Sequence, residues 1–229
     1  MMRTKLALLA FALALPAFLF AESIPALKAS AETAVKAAAA APSDYSANWV
    51  AAQACRRYGD EMVKTEFEGW KTLAKAAARD GMKYGEAATK LNPKGTEGWY
   101  WYGLNVGTYS DCVSIVSALA EGLKGKTQKA FETAYSLDKN YDGGGPMLSL
   151  GRFWQVLPGI AGKDLKKAEQ LFSEYLAQVD AGKDVNMDGW YYRGALYKEI
   201  GKTAEAKADL GRAASLGQKT AAKLLAQMK

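Results

Sequence analysis

Aromatic and polar side chains around one glycine-rich segment have the clearest capacity for binding chemistry in this sequence. Four consecutive aromatic residues, WYWY, occupy 99–102, and a GGGP segment at 143–146 lies downstream of them. Aromatic rings with a few polar groups suit an elongated, mostly apolar ligand, and an arginine can bind a carboxylate. The candidate binding residues are Tyr100, Trp101, Tyr102, Asn105, Tyr141 and Arg152.

The same aromatic run has a second interpretation. Successive residues of a helix point about 100° apart, so four consecutive aromatic side chains cannot all face one neighbour. They could fill the space between stacked helices, or some of them could line an open groove. The sequence leaves both alternatives open.

Catalytic chemistry has little support in the residue types. Histidine is absent, which removes the side chain most often used as an acid–base group or metal ligand near neutral pH. No phosphate-binding loop, dinucleotide-binding glycine pattern or G-x-S-x-G motif is present. We therefore expect a non-enzymatic protein with no cofactor and no bound metal.

The charge pattern indicates which partners to expect. The formal net charge is +6, but the basic residues are spread singly along the chain rather than in a stripe that could follow phosphates. We expect no binding to nucleic acid.

Two cysteines, Cys55 and Cys112, leave the redox chemistry open. They are 57 residues apart, which is not the spacing of a CxxC metal site. In an oxidising compartment they could form a disulfide, or both could be small buried apolar residues.

The N-terminus is typical of a secretory signal peptide. Arg3 and Lys5 precede an apolar run over 6–20, and the small residue Ala21 comes just before Glu22. The run is shorter than the roughly 20 residues that span a bilayer, so cleavage is favoured over a retained anchor. We divide the chain into a signal peptide (1–21), an alanine-rich leader (22–42) and a helical-repeat domain (43–229), and we expect a periplasmic location.

The apolar spacing predicts helices in the first half of the repeat domain. The pattern gives helices over 45–58, 62–78 and 82–91, with breaks at Gly59-Asp60 and Asp80-Gly81. For the alanine-rich leader before them, the sequence predicts either an isolated exposed helix or a loose segment that need not pack against the repeat domain.

The second half repeats itself. Its last copy places large and small residues at steps of four, three, nine, four and three: Trp190, Gly194, Tyr197, Ala206, Leu210 and Ala213. This is the tetratricopeptide (TPR) pattern, about 34 residues in two antiparallel helices. Gly194 is expected where two helices touch, whereas Gly189, at the helix start, is expected to tolerate a side chain better.

Two interrupted copies precede the last one. One runs through Met147, Gly151, Trp154, Ala168 and Phe172, and the other runs through Trp99, Gly103, Val106, Phe131 and Ala134. An insertion over 107–126, with its own helix over 113–123, separates the halves of the earlier copy. Hairpins with an apolar face must stack to bury it, so we predict an all-α fold of tetratricopeptide-like hairpins in a compact α-solenoid.

The stretch from about Trp70 to Gln178 resembles the T component of TPR-associated TRAP transporters. The resemblance rests on KYGEAATKLNPKGTEGWYWYGLNVG, the insertion after it, and AYSLDKNYDGGGPMLSLGRFWQVLPG. The GGP corner followed by LGR and LPG is its most specific part, and Arg152 belongs to the LGR piece. Trp99 stands where the family usually has histidine.

The resemblance implies a role in transport rather than catalysis. Family members are periplasmic helical-repeat proteins that associate with the transporter's solute-binding protein, and some form oligomers with an apolar channel. It therefore implies a solute-binding protein as partner, an apolar small ligand and a homo-oligomer as expectations. The alternative is a generic periplasmic TPR scaffold that binds another envelope protein.

The signal-peptide interpretation predicts the mature N-terminus. Mass spectrometry of the protein from a periplasmic fraction should give a chain that begins near Glu22. A full-length chain held in the membrane would contradict it.

Overall fold

The structure, a computed structural model, describes residues 23–180, 182–183 and 185–228, and in this part of the chain it is all-α. The expected signal peptide, 1–21, lies outside the described residues. None of the described helices is long and apolar enough to cross a membrane. The helices are α1 (Ile24–Ala40), α2 (Tyr45–Thr65), α3 (Trp70–Leu91), α4 (Thr96–Asp111), α5 (Ile115–Ala120), α6 (Leu123–Asp138), α7 (Tyr141–Val156), α8 (Leu165–Asp180), α9 (Met187–Glu199), α10 (Thr203–Ser215) and α11 (Lys219–Ala226).

Eight of these helices form four antiparallel hairpins in a stack. The hairpins pair α2 with α3, α4 with α6, α7 with α8, and α9 with α10. The first helices of successive hairpins also contact one another, α2 with α4, α4 with α7, and α7 with α9. Helix α1 packs on α2 at one end and α11 packs on α10 at the other. The predicted fold of stacked tetratricopeptide-like hairpins is confirmed.

The alanine-rich leader packs onto the repeat stack. Helix α1 buries Leu27, Ala31 and Ala38, and the first two join a cluster with Cys55 and Tyr58 of α2. The expectation of an isolated or loose segment is therefore wrong, because small alanine side chains let α1 lie close against α2. The boundary at residue 42 coincides with a turn, after which the Asp44 side chain accepts a hydrogen bond from the Ala47 amide at 2.9 Å and starts α2.

The first hairpin has one turn where the sequence pattern predicted two breaks. Helix α2 runs through Gly59-Asp60 and ends at Thr65, where Glu66 takes a left-handed conformation with φ 46°. Helix α3 runs through Gly81. Both glycines are buried because another helix approaches them. A Cβ on Gly59 would lie 3.4 Å from Thr108 Cγ2, and Asn105 of α4 fills the space where Gly81 would carry a Cβ.

The predicted insertion is present but shorter than expected. Helix α4 continues through Gly107 to Asp111, and α6 begins at Leu123, so the added segment is essentially α5. The Ser114 side chain caps α5 by accepting from the Ser117 amide at 3.1 Å.

A glycine stands at the closest contact within three of the hairpins. A Cβ on Gly103 would lie 2.7 Å from Phe131, and one on Gly151 would lie 2.6 Å from Phe172. A Cβ on Gly194 would lie 3.0 Å from the backbone nitrogen of Leu210. These three glycines occupy the same position of the repeat, which confirms the predicted register. Gly189 is close-packed as well, with Tyr175 2.5 Å from where its Cβ would be, so the expectation that it tolerates a side chain is wrong.

The glycine-rich corner joins the second and third hairpins. Asp142, Gly143 and Gly144 have φ of 50°, 66° and 89°, a left-handed turn that favours glycine, and the regular helix restarts at Pro146. The corner is tight on two sides. A Cβ on Gly144 would lie 2.9 Å from the Tyr175 ring, and the Tyr100 ring lies 2.6 Å from where Gly145 would carry one. Glycine lets the chain turn there between two tyrosines.

The two cysteines lie in one apolar cluster and are not bonded to each other in this structure. Cys55 is buried and Cys112 is partly buried, and both pack with Met62 and Ala74. Burial raises the pKa of the Cys55 thiol to about 12. Their pairing stays a prediction, and equal melting temperatures of the purified protein with and without reductant would contradict it.

The glycine contact predicts a large difference between two alanine substitutions. Gly194→Ala places a methyl group against α10 and should lower the free energy of unfolding by about 1–3 kcal/mol. Gly211→Ala is the matched control, since nothing lies within 4 Å of its Cβ position, and it should stabilise by about 0.5–1 kcal/mol. Urea denaturation measures both. Equal effects would show that the register is wrong.

Candidate binding groove

Four of the six candidate binding residues lie in the core. Tyr100, Trp101 and Tyr102 are 6%, 6% and 7% exposed, and Asn105 is fully buried. Tyr102 packs with Val106 and Ala130 inside the second hairpin. The structure thus matches the packing alternative for the aromatic run, and an open aromatic groove at 100–102 is absent from the described surface.

Tyr100, Trp101 and Tyr141 form one aromatic cluster between α4 and the glycine corner. The Tyr100 ring packs edge-on against Trp101 and Tyr141, with centroids 4.9 Å and 5.4 Å away. The Trp101 indole N–H donates to the Tyr141 hydroxyl at 3.0 Å. Burial, together with the nearby Asp142 carboxylate, raises the pKa of Tyr100. Tyr141 is the only member of this trio that is more than slightly exposed.

Asn105 ties two first helices together. Its amide nitrogen donates to the Ala52 carbonyl of α2 at 2.9 Å and to the Trp101 carbonyl of its own helix at 2.8 Å. Because both partners are backbone atoms in the interior, the role of Asn105 here is to fix α2 against α4.

Arg152 is the candidate that reaches solvent as a charged group. It is partly exposed on α7, where its guanidinium donates to the Gln155 side chain at 2.9 Å. The guanidinium carbon also lies 4.9 Å from the ring centre of Tyr192 on α9. Arg152 therefore lies across the seam between the third and fourth hairpins.

Arg56 is a candidate binding residue that the sequence analysis missed. It forms an ion pair with Asp60 at 2.7 Å on α2. It also reaches α4, where it donates to the Leu104 carbonyl at 3.3 Å and to the Thr108 hydroxyl. Its Nε atom is buried without a hydrogen-bond partner. The only signal in the sequence is the Arg–Asp spacing of four on one helix face, which is common on solvated helices.

Side chains from the first helices of all four hairpins lie close enough to influence one another's pKa, and we call the surface they form the inner groove. Its residues are Arg56, Asp60, Asp111, Arg152, Asp188 and Tyr192. Arg56 on α2 and Arg152 on α7 both influence the pKa of Tyr192 on α9 and of Asp111 on α4. Arg56 lies on the first hairpin and Tyr192 on the fourth, so this influence indicates that the row of first helices curves.

Burial also shifts the pKa values of the groove residues. Burial raises the pKa of Asp60, although its partner Arg56 opposes the shift. Asp111 reaches solvent but stands between the walls of the groove, and the loss of surrounding water raises its pKa despite both arginines. Burial, with the Asp188 charge, raises the pKa of Tyr192 to about 12. The groove therefore mixes two cations, three carboxyl groups and an aromatic face.

A further depression of the described surface lies outside the groove, and the carboxylate at its rim is already paired. Within the described residues, no cluster of three or more aspartate, glutamate or cysteine side chains could hold a metal ion. An open depression between α6 and α8 is lined by Tyr135, Leu150 and Leu171, among others. Glu174 at its rim accepts hydrogen bonds from Tyr135 and Lys139 at 2.8 Å and 2.7 Å, so its polar groups are already paired.

Comparison with known proteins identifies the fold. No protein-family model and no curated protein matches the sequence. Among solved structures, the chain is similar to the crystal structure of TTC0263, a thermophilic TPR protein of Thermus thermophilus. The similarity has a TM-score of 0.62 at 14% sequence identity and covers 90% of this chain and 91% of that one. The chain thus has a TPR-like helical-repeat fold.

The burial of the aromatic run predicts how it responds to truncation. Trp101→Ala removes a buried indole and its hydrogen bond to Tyr141, so it should lower the free energy of unfolding by about 3–5 kcal/mol. Arg152→Ala is the surface counterpart and should cost about 1 kcal/mol or less. Thermal melting compares the two. A Trp101→Ala protein as stable as wild type would contradict the core assignment.

Proposed function

We propose that this chain is an exported, non-enzymatic helical-repeat protein that binds an extended segment of a partner protein in the inner groove. The observation that supports the proposal is the groove itself. Side chains from four consecutive hairpins converge on it, and Arg56 retains a buried donor without a partner. A site with side chains from every hairpin suits a partner segment that reaches all four of them.

The chemistry of the lining favours a polypeptide over a small apolar molecule. Arg56 and Arg152 can bind carboxylates, Asp111 and Asp188 can accept from amides or cations, and Tyr192 offers a ring. A peptide carries all of these complementary groups. The aromatic cluster that would suit an apolar ligand is closed, since Tyr100 and Trp101 are both 6% exposed. The sequence resemblance adds an apolar small ligand and a homo-oligomer to the proposal.

The identity of the partner rests on the sequence resemblance. The GGP, LGR and LPG pieces resemble the TRAP T component, so we propose the solute-binding protein of a TRAP-type transporter as the partner in the periplasm. The second candidate is a generic periplasmic scaffold for another envelope protein. The TPR-like fold supports either one, and a neighbouring gene for a TRAP-type binding protein or permease would favour the first.

The groove predicts which arginine matters for binding. Arg152→Ala should weaken capture of the partner from a periplasmic extract by about tenfold, the loss of one charge-assisted contact. Arg212→Ala is the matched control, because Arg212 is exposed on α10, a second helix away from the groove. Quantitative pull-down, with mass spectrometry of the captured proteins, measures the difference.

Three results separate the alternatives. Capture of a solute-binding protein that Arg152→Ala weakens supports the transporter role. Capture of a different envelope protein with the same dependence supports the scaffold role. Equal capture by both variants would contradict binding in the inner groove.

A further inference from the structure

The connections within the hairpins form one edge of the stack. In each hairpin the chain leaves the first helix and enters the second at this edge. The second hairpin contributes α5 there, and the third contributes the segment after α7, with a 3₁₀ turn at Gly159–Ala161. We call residues 115–120 and 156–162 the turn edge. It is separate from the inner groove, which the sides of the first helices form.

The turn edge exposes a group of aliphatic side chains. Val116 and Ile160 are 77% and 91% exposed. Ile115, Leu119 and Val156 are 61%, 50% and 52% exposed. Single exposed aliphatic residues are ordinary, but a group of them at one edge marks an interaction surface.

The two segments of the turn edge are neighbours in space. Lys124, just after α5, has its Nζ atom 3.6 Å from the position that a Cβ on Gly162 would take. Val113 and Ala118 anchor the α5 segment to Tyr109 and Leu123, and Leu157 anchors the other segment in the main core. The exposed side chains therefore project from anchored backbone.

Three lysines without acidic partners follow the two segments closely in the sequence. Among the described residues, Lys124, Lys126 and Lys166 form no ion pair within 4 Å. Asp164 accepts from the Lys167 amide at the start of α8 at 2.9 Å, and Glu121 accepts from the Tyr109 hydroxyl at 3.4 Å. Both carboxylates keep their negative charge in these hydrogen bonds, so the three lysines leave an excess of one positive charge at this edge.

We propose that the turn edge binds the surface of a phospholipid bilayer that contains anionic lipids. Aliphatic side chains at protruding connections can enter the interface between headgroups and acyl chains, while lysines beside them attract anionic headgroups. A protein partner is disfavoured because the exposed side chains stand on projections rather than in a groove. Membrane binding through this edge leaves the inner groove open, so the proposal goes beyond the proposed function.

Vesicle co-sedimentation tests the proposal. The protein is purified after export, with its N-terminus established by mass spectrometry, and mixed with vesicles of phosphatidylcholine alone or with about a third phosphatidylglycerol. Wild type should sediment with the anionic vesicles and release at high salt. Val116→Asp combined with Ile160→Asp should weaken that binding by about tenfold or more.

A matched control keeps the test specific. Leu91→Asp combined with Leu137→Asp changes two aliphatic residues, 42% and 39% exposed, at the opposite edge, and it should bind like wild type. Circular dichroism verifies that each variant is folded. The proposal fails if wild type ignores anionic vesicles, or if both double variants bind equally. It also fails if the turn-edge variant changes only the oligomeric state or capture of a protein partner.

Discussion

The close contact between a glycine of the first helix and a bulky residue of the second helix, present in three of the four hairpins, is the constraint on which the rest of the structure depends. Gly103 lies against Phe131, Gly151 against Phe172, and Gly194 against Leu210. Because the missing Cβ lets the helix axes approach, the large side chains fill the space between hairpins instead of separating the two helices within one. Three repetitions of one contact give three hairpins of similar geometry, which is what a regular stack requires.

The stack in turn positions the groove. Asn105 joins α2 to α4 through the Ala52 carbonyl, and the glycine corner lets Tyr100 of α4 and Tyr175 of α8 approach the start of α7. These contacts hold the first helices in a curved row. Charged side chains that stand far apart in the sequence, such as Arg56 and Asp188, therefore face the same space. The aromatic cluster supports the groove from behind and does not line it.

The repeat fold could be predicted from the sequence because the repeated residue pattern directly reflects how the helices pack. Large and small residues at fixed steps determine where helices touch, and the glycine corner and its proline mark the start of α7. The sequence pattern predicts helix breaks at Gly59 and Gly81, because a glycine within a helical pattern can mark either the end of a helix or a close contact between two helices. Only the approach of Thr108 and Asn105 from another helix distinguishes the two.

The binding site was harder to predict than the fold. The sequence pattern predicts Trp101 and Tyr102 as binding residues because aromatic side chains are common both in interfaces and in cores. The number of helices packed around each side chain decides between these roles. Arg56 was missed because its partners on α4 lie about 50 positions downstream. Arg152 does reach the open surface, since the pattern of α7 leaves it outside the apolar stripe, and its part in binding stays a prediction.

The central claim is that a partner lies in the inner groove, and site-specific photocrosslinking in cells of the native host tests it most directly. A photoreactive amino acid is placed at position 152 in the groove or at position 212 on the outer side, and the crosslinked peptides are identified by mass spectrometry. The account predicts a defined partner peptide crosslinked at 152 and none at 212. Crosslinks at 212 alone, or the same partner at both positions with equal yield, would contradict it.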